Sequence, residues 1–445
     1  MGIDLFIHKL RRVYYFFNVI NVLILNKTIK TKELSTWYKY FICAIASSYA
    51  MFDFFIIVAP SVMSNEIRLD FQINATQFSY IGASFYIAYA LMQIPSGWLI
   101  DRYGMRKMFS FAATLTGLSV ILFSTTNNFS VCLFARALMG IGVSSAFIGN
   151  YYLAARLIKH RYFSFFAAIL HLLASVGAFI AQGPLAVAVQ SSNWRQTMFI
   201  NGLIALLLAC LFAVFIDDGQ RNVPEKKQPN RKIPFLNSMK YIINHAQVKW
   251  IALCGFMGWL PLSVLSGFWG IPYLMTIYQI DSITASSILT YFWLGSACGG
   301  LLISMFSELI SSRKKPILYC FYGQVICAII MINATLIPPW VISLTFFCLG
   351  VFVCMQTLSF TLIKETVEPR YFALATSANN IGAMLSSAIG QNLFGWLLDY
   401  QAGNSLNYTA TYFQKAMFMF LVAAISGTFI CKYKLKETHC CVLKY

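Results

Sequence analysis

The chain has 445 residues, of which 59% are hydrophobic and 11% charged, and its formal net charge is +18. Soluble globular proteins are about a quarter charged, so this composition excludes an ordinary soluble fold, whereas a lipid bilayer accommodates it. The basic excess lies in short clusters between apolar runs, as the positive-inside rule describes, which argues against nucleic-acid binding. The twelve cysteines lack the spacing of a metal site or a disulfide framework, so no cofactor is implied.

Twelve apolar runs, each near the roughly 20 residues that a spanning helix needs, predict twelve transmembrane helices. The sequence therefore predicts an all-α polytopic membrane protein. The predicted spans are about 40–63, 78–99, 107–125, 129–155, 162–188, 196–216, 249–275, 285–307, 317–337, 340–363, 372–398 and 412–431.

The remaining segments separate these spans into two groups of six. Residues 217–248 are basic and contain three prolines, so they are expected to form a linker between bundles at 37–216 and 249–431. Residues 1–36 contain a basic cluster followed by an aromatic run, and this pattern predicts an interfacial helix. The alternative is an unstructured extension. Residues 432–445 form a polar tail.

The distribution of positive charge predicts the orientation. All but four of the 33 lysines and arginines fall on the N-terminus, the even-numbered connections or the C-terminus. This asymmetry places both termini and the linker in the cytoplasm. We expect a multi-pass protein of the bacterial inner membrane, monomeric in the lipid bilayer.

The two halves share local sequence patterns. Arg161-Tyr162-Phe163 and Arg370-Tyr371-Phe372 open the fifth and eleventh spans, 209 residues apart, while Asp101 and Glu308 follow the second and eighth spans, 207 residues apart. Matches at nearly one offset predict parallel repeats related by an axis along the membrane normal.

The connection between the second and third spans runs from Gly97 to Lys107 as GWLIDRYGMRK. It resembles the signature loop of the major facilitator superfamily. Arg136–Gly142 resembles the arginine motif of that family's fourth helix, and Gly300–Lys315 is a degenerate second copy of the signature with Ser312 where glycine is expected. The resemblance covers about residues 37–435 and implies a bacterial carrier of small organic solutes that works by alternating access.

The resemblance also implies a gate at the cytoplasmic surface. Asp101 is expected to bond the neighbouring basic residues and the start of the eleventh helix near Phe372, where the helix dipole favours a carboxylate. The alternative is that these charges only fix the topology. The residues expected to form this gating loop are Gly97, Asp101, Arg102, Gly104, Arg106 and Lys107.

Three ionisable residues are predicted deep within the first bundle: Asp53, Arg136 and His171. Charges inside a membrane are costly and are usually functional. Burial favours the neutral form of a carboxyl and a nearby arginine favours its charged form, so Asp53 is the predicted proton site beside Arg136. Structural roles are the alternative for Arg136 and His171.

Polar and aromatic residues inside the spans are candidates for contact with the solute. Amides in membranes also serve as links between helices, and tryptophans as packing residues, so each candidate has a structural alternative. The candidates are Tyr49, Tyr86, Tyr89, Gln93, Asn150, Gln182, Trp259, Trp269, Gln356, Asn380 and Gln391.

Together these features predict a proton-coupled carrier of a small organic solute, of the amino acid, peptide or organic anion class. The alternatives are a multidrug or metabolite efflux antiporter and a sensor that binds a solute without moving it. We expect no enzymatic activity, because the chain lacks the motifs of metal, nucleophilic or phosphate-binding sites.

Overall fold

In the computed structural model, residues 36–158, 163–216, 240–242, 244–368, 371–403 and 407–440 are described. The N-terminal segment predicted as an interfacial helix and most of the central linker lie outside these ranges. So do Arg161, Tyr162 and Arg370 of the repeated sequence patterns.

Within these ranges the chain forms twelve long helices. They are α1 (Thr36–Val62), α2 (Ala75–Tyr103), α3 (Met105–Thr125), α4 (Phe129–Val143 and Ser145–Leu157), α5 (Phe163–Ile180 and Gly183–Ser191), α6 (Trp194–Phe215), α7 (Ala246–Leu260, a π-helix Pro261–Trp269, and Gly270–Tyr278), α8 (Ser282–Leu309), α9 (Lys314–Ile332), α10 (Pro339–Val353 and Met355–Thr366), α11 (Phe372–Ala402) and α12 (Ala410–Lys434). A short helix, Ser64–Phe71, follows α1.

Eleven of the described helices are long and apolar enough to cross a membrane. The exception is α2, whose 29 residues are sufficient in length but include tyrosines, glutamines and serines that lower its hydropathy. Because α2 packs between α4 and α11, several of these polar side chains, including Tyr86, Tyr89 and Gln93, are buried within the protein. The protein is a multi-pass membrane protein with two six-helix bundles, as predicted.

The two bundles repeat one packing scheme. In the first bundle α2 packs on α4, α3 on α6 and α1 on α5, and in the second bundle α8 packs on α10, α9 on α12 and α7 on α11. The breaks within helices also correspond, because α4 is interrupted at Ser144 and α10 at Cys354, 210 residues later.

Glycines at corresponding positions allow close helix contacts in both bundles. A Cβ atom on Gly140 of α4 would lie 2.2 Å from the carbonyl oxygen of Phe85 on α2, and one on Gly350 of α10 would lie 2.0 Å from that of Phe292 on α8. Small residues let membrane helices approach closely, where van der Waals packing drives their association. The pairing of α2 with α4, and of α8 with α10, therefore requires glycine.

The two loops that resemble the signature also share a backbone turn. Gly104, between α2 and α3, has φ of +86°, and Ser311, between α8 and α9, has φ of +47°. A positive φ favours glycine, but in the second bundle the residue with positive φ is a serine. The residue in this conformation is Ser311, one position before the residue at which sequence comparison expected glycine.

The two membrane faces differ in how the bundles meet. We call the face that carries the ends of α2 and α6 and the start of α7 the linker face, and the opposite one the distal face. Towards the distal face, one hydrophobic core runs continuously through both bundles. Near the linker face, the second bundle has a separate core of its own, which includes Ile251, Phe321 and Leu362. The described state is therefore closed at the distal face.

We expect Gly140→Ala and Gly350→Ala each to lower the free energy of unfolding by about 1–3 kcal/mol, because overpacking forces neighbouring backbones apart. Thermal unfolding in detergent measures the effect. Gly183→Ala is the control, since a Cβ atom there has no neighbour within 4 Å. Equal stability of all three variants would contradict the packing argument.

Candidate functional site

Asp53 is buried in the middle of α1, with 1% of its surface exposed. Its Oδ2 atom accepts a hydrogen bond of 3.5 Å from the Tyr89 hydroxyl on α2. Its Oδ1 atom has no hydrogen-bond partner among the residues that the structure describes. A carboxyl with one long hydrogen bond is expensive to keep charged away from water, so this group is suited to gaining and losing a proton.

Arg136 of α4 is equally buried, but it is not paired with Asp53. Its Nε atom donates to the carbonyl oxygen of Ile81 and its Nη1 atom to that of Ile56, both over 3.2 Å. Its guanidinium also lies over the Phe85 ring, 4.8 Å from the centroid. Arg136 thus joins α4 to α1 and α2. The described residues contain no ion pair between Arg136 and Asp53. The structure therefore does not show the arginine contact that the sequence analysis expected to favour the charged form of Asp53.

His171 of α5 lies where the two bundles meet. Its Nε2 atom is 3.4 Å from the Ser296 hydroxyl of α8. Its ring meets Phe54 of α1 edge to face, and Phe54 in turn meets Trp293 of α8, with ring centroids 5.7 Å apart. The structure thus places His171 in a layer of aromatic and polar groups shared by both bundles. Sequence reasoning did not identify Ser296 as its neighbour.

Two residues of α2 besides Tyr89 are also buried. Tyr86 is buried beside Gly267 of α7 and Ser387 of α11. Gln93 is buried one turn beyond Tyr89. The side of α2 that carries Tyr86, Tyr89 and Gln93 therefore faces the interior of the protein.

Two sequence candidates lie within the first bundle instead of at the interface. The Tyr49 hydroxyl is 3.0 Å from that of Thr116, and its ring packs on Phe109 and Phe212. Asn150 donates from Nδ2 to the carbonyl oxygens of Ala46 and Ala146. Both residues make the contacts expected of links between helices.

The π-helical segment of α7 accepts bonds from two glutamines. Gln182 of α5 donates to the carbonyl oxygen of Ser266 over 3.4 Å, and Gln391 of α11 donates to that of Ser263 over 2.8 Å. Single π turns inside α-helices occur frequently at functional sites. Because Gln182 belongs to the first bundle, its bond connects the bundles at this irregular segment.

A polar group in the second bundle is only partly satisfied, and we call it the amide cluster: Gln356, Ser359 and Asn379. Asn379 donates from Nδ2 to the Ser359 hydroxyl over 2.8 Å. Among the described residues, its Oδ1 atom has no partner, and neither does Oε1 or Nε2 of Gln356. A Cβ atom on Gly255 of α7 would lie 2.9 Å from oxygens of both amides, so the three helices converge here. Sequence reasoning chose Asn380 and missed Asn379.

The remaining candidates have different surroundings. Trp259 is partly exposed and its Nε1 atom has no partner within the described ranges. Asn380 is also partly exposed, at helical spacing from Ser387 and Gln391. Trp269 is fully buried among Phe78, Phe394 and Phe413, so it contributes to the closed distal region.

Comparison with known families identifies the fold. The profile of the Major Facilitator Superfamily matches residues 41–391 and 251–438. The chain belongs to this superfamily. Members of the superfamily move solutes across membranes, and this chain is accordingly a transporter-family protein with twelve helices.

The chain is similar to several curated superfamily members. It is 26% identical over 164 residues to the probable sulfoacetate transporter SauU of Cupriavidus necator, a match that spans 36% of this chain and 37% of that protein. It is 21% identical to the probable galactarate/D-glucarate transporter GarP of Escherichia coli, over 76% of this chain and 83% of that one. It is 23% identical to the membrane sensor protein UhpC of Escherichia coli, over 81% and 85% of the two chains.

Solved superfamily structures share the fold. The structure of a D-xylose–proton symporter aligns with a TM-score of 0.74 at 14% identity, over 91% of this chain and 100% of that one. The structure of the nucleoside transporter NupG aligns with a TM-score of 0.68 at 12% identity, over 89% and 100%.

The superfamily signature loop lies on the linker face. Arg106 donates from Nε to the carbonyl oxygen of Ala213 on α6 over 2.6 Å. Arg102 lies over Trp98, Lys107 is exposed, and a Cβ atom on Gly97 would have no neighbour within 4 Å. The Asp101 side chain lies outside the described part of the structure, so its role in the gate stays a prediction.

The degenerate second copy of the signature carries a buried ion-pair network. Arg313 pairs with Glu308 over 2.8 Å and with Glu365 of α10 over 3.0 Å. Glu437, beyond α12, accepts from the Arg313 backbone N–H over 2.8 Å, and Thr438 donates to Glu365. These bonds hold the segment after α12 against the linker face. Sequence reasoning found Arg313 and Glu308 but not Glu365, because α10 is remote in sequence.

We expect Glu365→Gln to lower the free energy of unfolding by about 3–5 kcal/mol, because it leaves Arg313 buried without its buried partner. The control is Glu308→Gln, which removes a carboxylate that is 66% exposed from the same arginine and should cost less than about 1 kcal/mol. Thermal unfolding of both purified variants gives the comparison. Equal losses would show that burial does not determine the strength of this network.

Proposed function

We propose that this protein is a secondary active transporter that moves a small organic anion by alternating access, coupled to protons. The single observation that carries the proposal is Asp53, a buried carboxyl in α1 with one free oxygen among the described residues and one long hydrogen bond from Tyr89. Retaining such a group inside a membrane is costly. Proton uptake and release during transport provides a reason for its presence.

The same proposal assigns sides to the molecule. All but four of the 33 lysines and arginines lie on the N-terminus, the linker and the other connections of one face, or the C-terminus, so the linker face is cytoplasmic by the positive-inside rule. We place the protein in a bacterial inner membrane as a monomer. The closed distal face then corresponds to a state that opens towards the cytoplasm.

The amide cluster supports an organic anion that also carries hydroxyl groups. Among the residues that the structure describes, Gln356 offers one donor and one acceptor without partners, and Asn379 offers a further acceptor. A carboxylate accepts hydrogen bonds, and a hydroxyl both donates and accepts. A hydroxylated acid can therefore bind Nε2 and Oε1 of Gln356 and Oδ1 of Asn379. The relatives named above include a probable galactarate/D-glucarate transporter and a probable sulfoacetate transporter, and these solutes are organic anions. Trp259, whose Nε1 atom has no partner in the described part of the chain, is a further donor for the solute.

We expect Asp53→Asn to abolish the stimulation of uptake by an inward proton gradient, because asparagine cannot exchange a proton. Exchange of labelled solute at equal pH on both sides should persist, since that step needs no net proton movement. Reconstituted vesicles with and without a pH gradient provide the measurement, using galactarate, D-glucarate and sulfoacetate as trial solutes.

Tyr89→Phe is the companion variant for this experiment. It removes the hydrogen bond to Asp53 but retains the titratable group, so stimulation by the gradient should survive with a changed pH profile. Undiminished stimulation in Asp53→Asn would rule out Asp53 as the proton site.

We expect Gln356→Leu to raise the Kd for solute roughly tenfold or more, because a lost hydrogen bond to a buried group costs about 1–3 kcal/mol. Stability without solute should be unchanged or higher, since the unpaired amide is costly to bury. Asn150→Leu is the matched control: its amide bonds Ala46 and Ser47 of α1 and Ala146 of its own helix, so the variant should lose stability. Thermal unfolding with and without solute measures both effects. A stability loss in Gln356→Leu without a change in Kd would contradict solute binding.

A second candidate function is solute sensing without transport. The observation that favours it is the similarity to the membrane sensor protein UhpC over 85% of that protein. Vesicles separate the two functions, because a sensor binds solute without flux. Efflux of varied hydrophobic compounds is the other alternative, and stabilisation by many unrelated compounds instead of organic anions would support it.

A further inference from the structure

The distal end of α2 is held by residues of the other bundle. Asn74 caps this helix by accepting from the Gln77 N–H, and the Gln77 side chain accepts from the Asn74 N–H. This capping box leaves the N–H groups of Ala75 and Thr76 to be satisfied. Both donate to Asp399 near the end of α11, over 3.2 Å to Oδ1 and 2.8 Å to Oδ2.

A carboxylate in this position is strongly bound. The first N–H groups of a helix lack partners within the helix, and the helix dipole favours negative charge at its N-terminus. Hydrogen bonds with one charged partner are roughly twice as strong as neutral ones. Because Asp399 and α2 belong to different bundles, these bonds close the distal face and do not stabilise either bundle alone.

Tyr408, in the connection between α11 and α12, completes the arrangement. Its hydroxyl donates to Oδ1 of Asp399 and accepts from the Ala75 N–H over 2.9 Å. The Arg68 guanidinium, beyond the end of α1, lies 4.5 Å from the centre of the Tyr408 ring. Burial raises the pKa of Tyr408 to about 12, so its hydroxyl remains protonated and available to donate.

The helices are in backbone contact just beneath these bonds. A Cβ atom on Gly395 of α11 would lie 2.2 Å from the Ser79 hydroxyl and 2.7 Å from the Ala75 carbonyl oxygen on α2. The Phe78 ring stacks on Phe268 of α7, with centroids 4.5 Å apart. Opening the distal face must therefore separate α2 from α11 and break both hydrogen bonds to Asp399 together.

We propose that Asp399 and Tyr408 form a distal latch: a carboxylate and a hydroxyl of the second bundle that bind the N-terminus of α2 only in the distal-closed state. Asp399 is thus a positioning residue for alternating access. The distal latch rests on superfamily membership and this geometry, and not on the identity of the solute or on proton coupling.

The latch predicts a shift in conformational populations. We expect Asp399→Ala to raise the ratio of distal-open to distal-closed molecules about tenfold, which corresponds to about 1.4 kcal/mol. Energy transfer between dyes on Asn127 and Leu336 measures this ratio, since both are exposed on distal connections of different bundles. Attaching the dyes through non-canonical amino acids avoids the native cysteines. Neither a solute nor a proton gradient is required, so a failure of the transport proposal would not affect this test.

Two further variants make the test specific. Asp399→Asn retains one acceptor oxygen, so it should raise the ratio of distal-open to distal-closed molecules less than Asp399→Ala does. If the alanine variant does not fold, the asparagine variant alone tests the latch. Asp281→Ala is the matched control, because Asp281 caps α8 within its own bundle by accepting from the Ile283 N–H. The proposal is overturned if Asp399→Asn and Asp399→Ala leave the dye distances unchanged, or if Asp281→Ala shifts them equally.

Discussion

Inside a membrane, a polar group has no water to bind and must find its partner within the protein. Most of the described polar side chains in the spans obey this constraint, often by binding backbone carbonyls of another helix. Arg136 and Asn150 do so completely enough to join α4 to its neighbours. The exceptions include Asp53, Gln356 and Asn379, which retain atoms without partners among the described residues. We propose that a proton or a solute completes the structure at these three residues.

The repeated architecture places these exceptions unequally. The two bundles share helix pairings, close glycine contacts and interrupted fourth helices, so their scaffolds are equivalent. Their interiors are not, since the titratable groups Asp53 and His171 belong to the first bundle and the amide cluster belongs to the second. Movement of one bundle against the other therefore changes the distance between the groups that we propose for proton coupling and those that we propose for solute recognition.

The fold was largely predictable from the sequence because its signals are local: apolar runs, charged connections and a signature loop each occupy one stretch of chain. The site was less predictable, because the direction of a side chain depends on rotation about a helix axis. One residue corresponds to about 100°, which separates Asn379, within the second bundle, from Asn380, on the partly exposed side. For the same reason, the sequence suggested that Tyr49 contacts the solute, whereas the structure packs it within the first bundle. The contacts of Glu365 and Asp399 join helices far apart in sequence, and no local pattern indicates them.

The nine-residue π segment of α7 has one more consequence. Its hydrogen bonds span five residues instead of four, so it holds more residues per turn than the α-helical rods on either side. Rewinding it into a regular α-helix would rotate Gly270–Tyr278 about the helix axis relative to Ala246–Leu260. Its nine residues are all buried, and the bonds from Gln182 and Gln391 hold its carbonyls in place. The helix thus contains a torsional joint whose winding is fixed by side chains from both bundles.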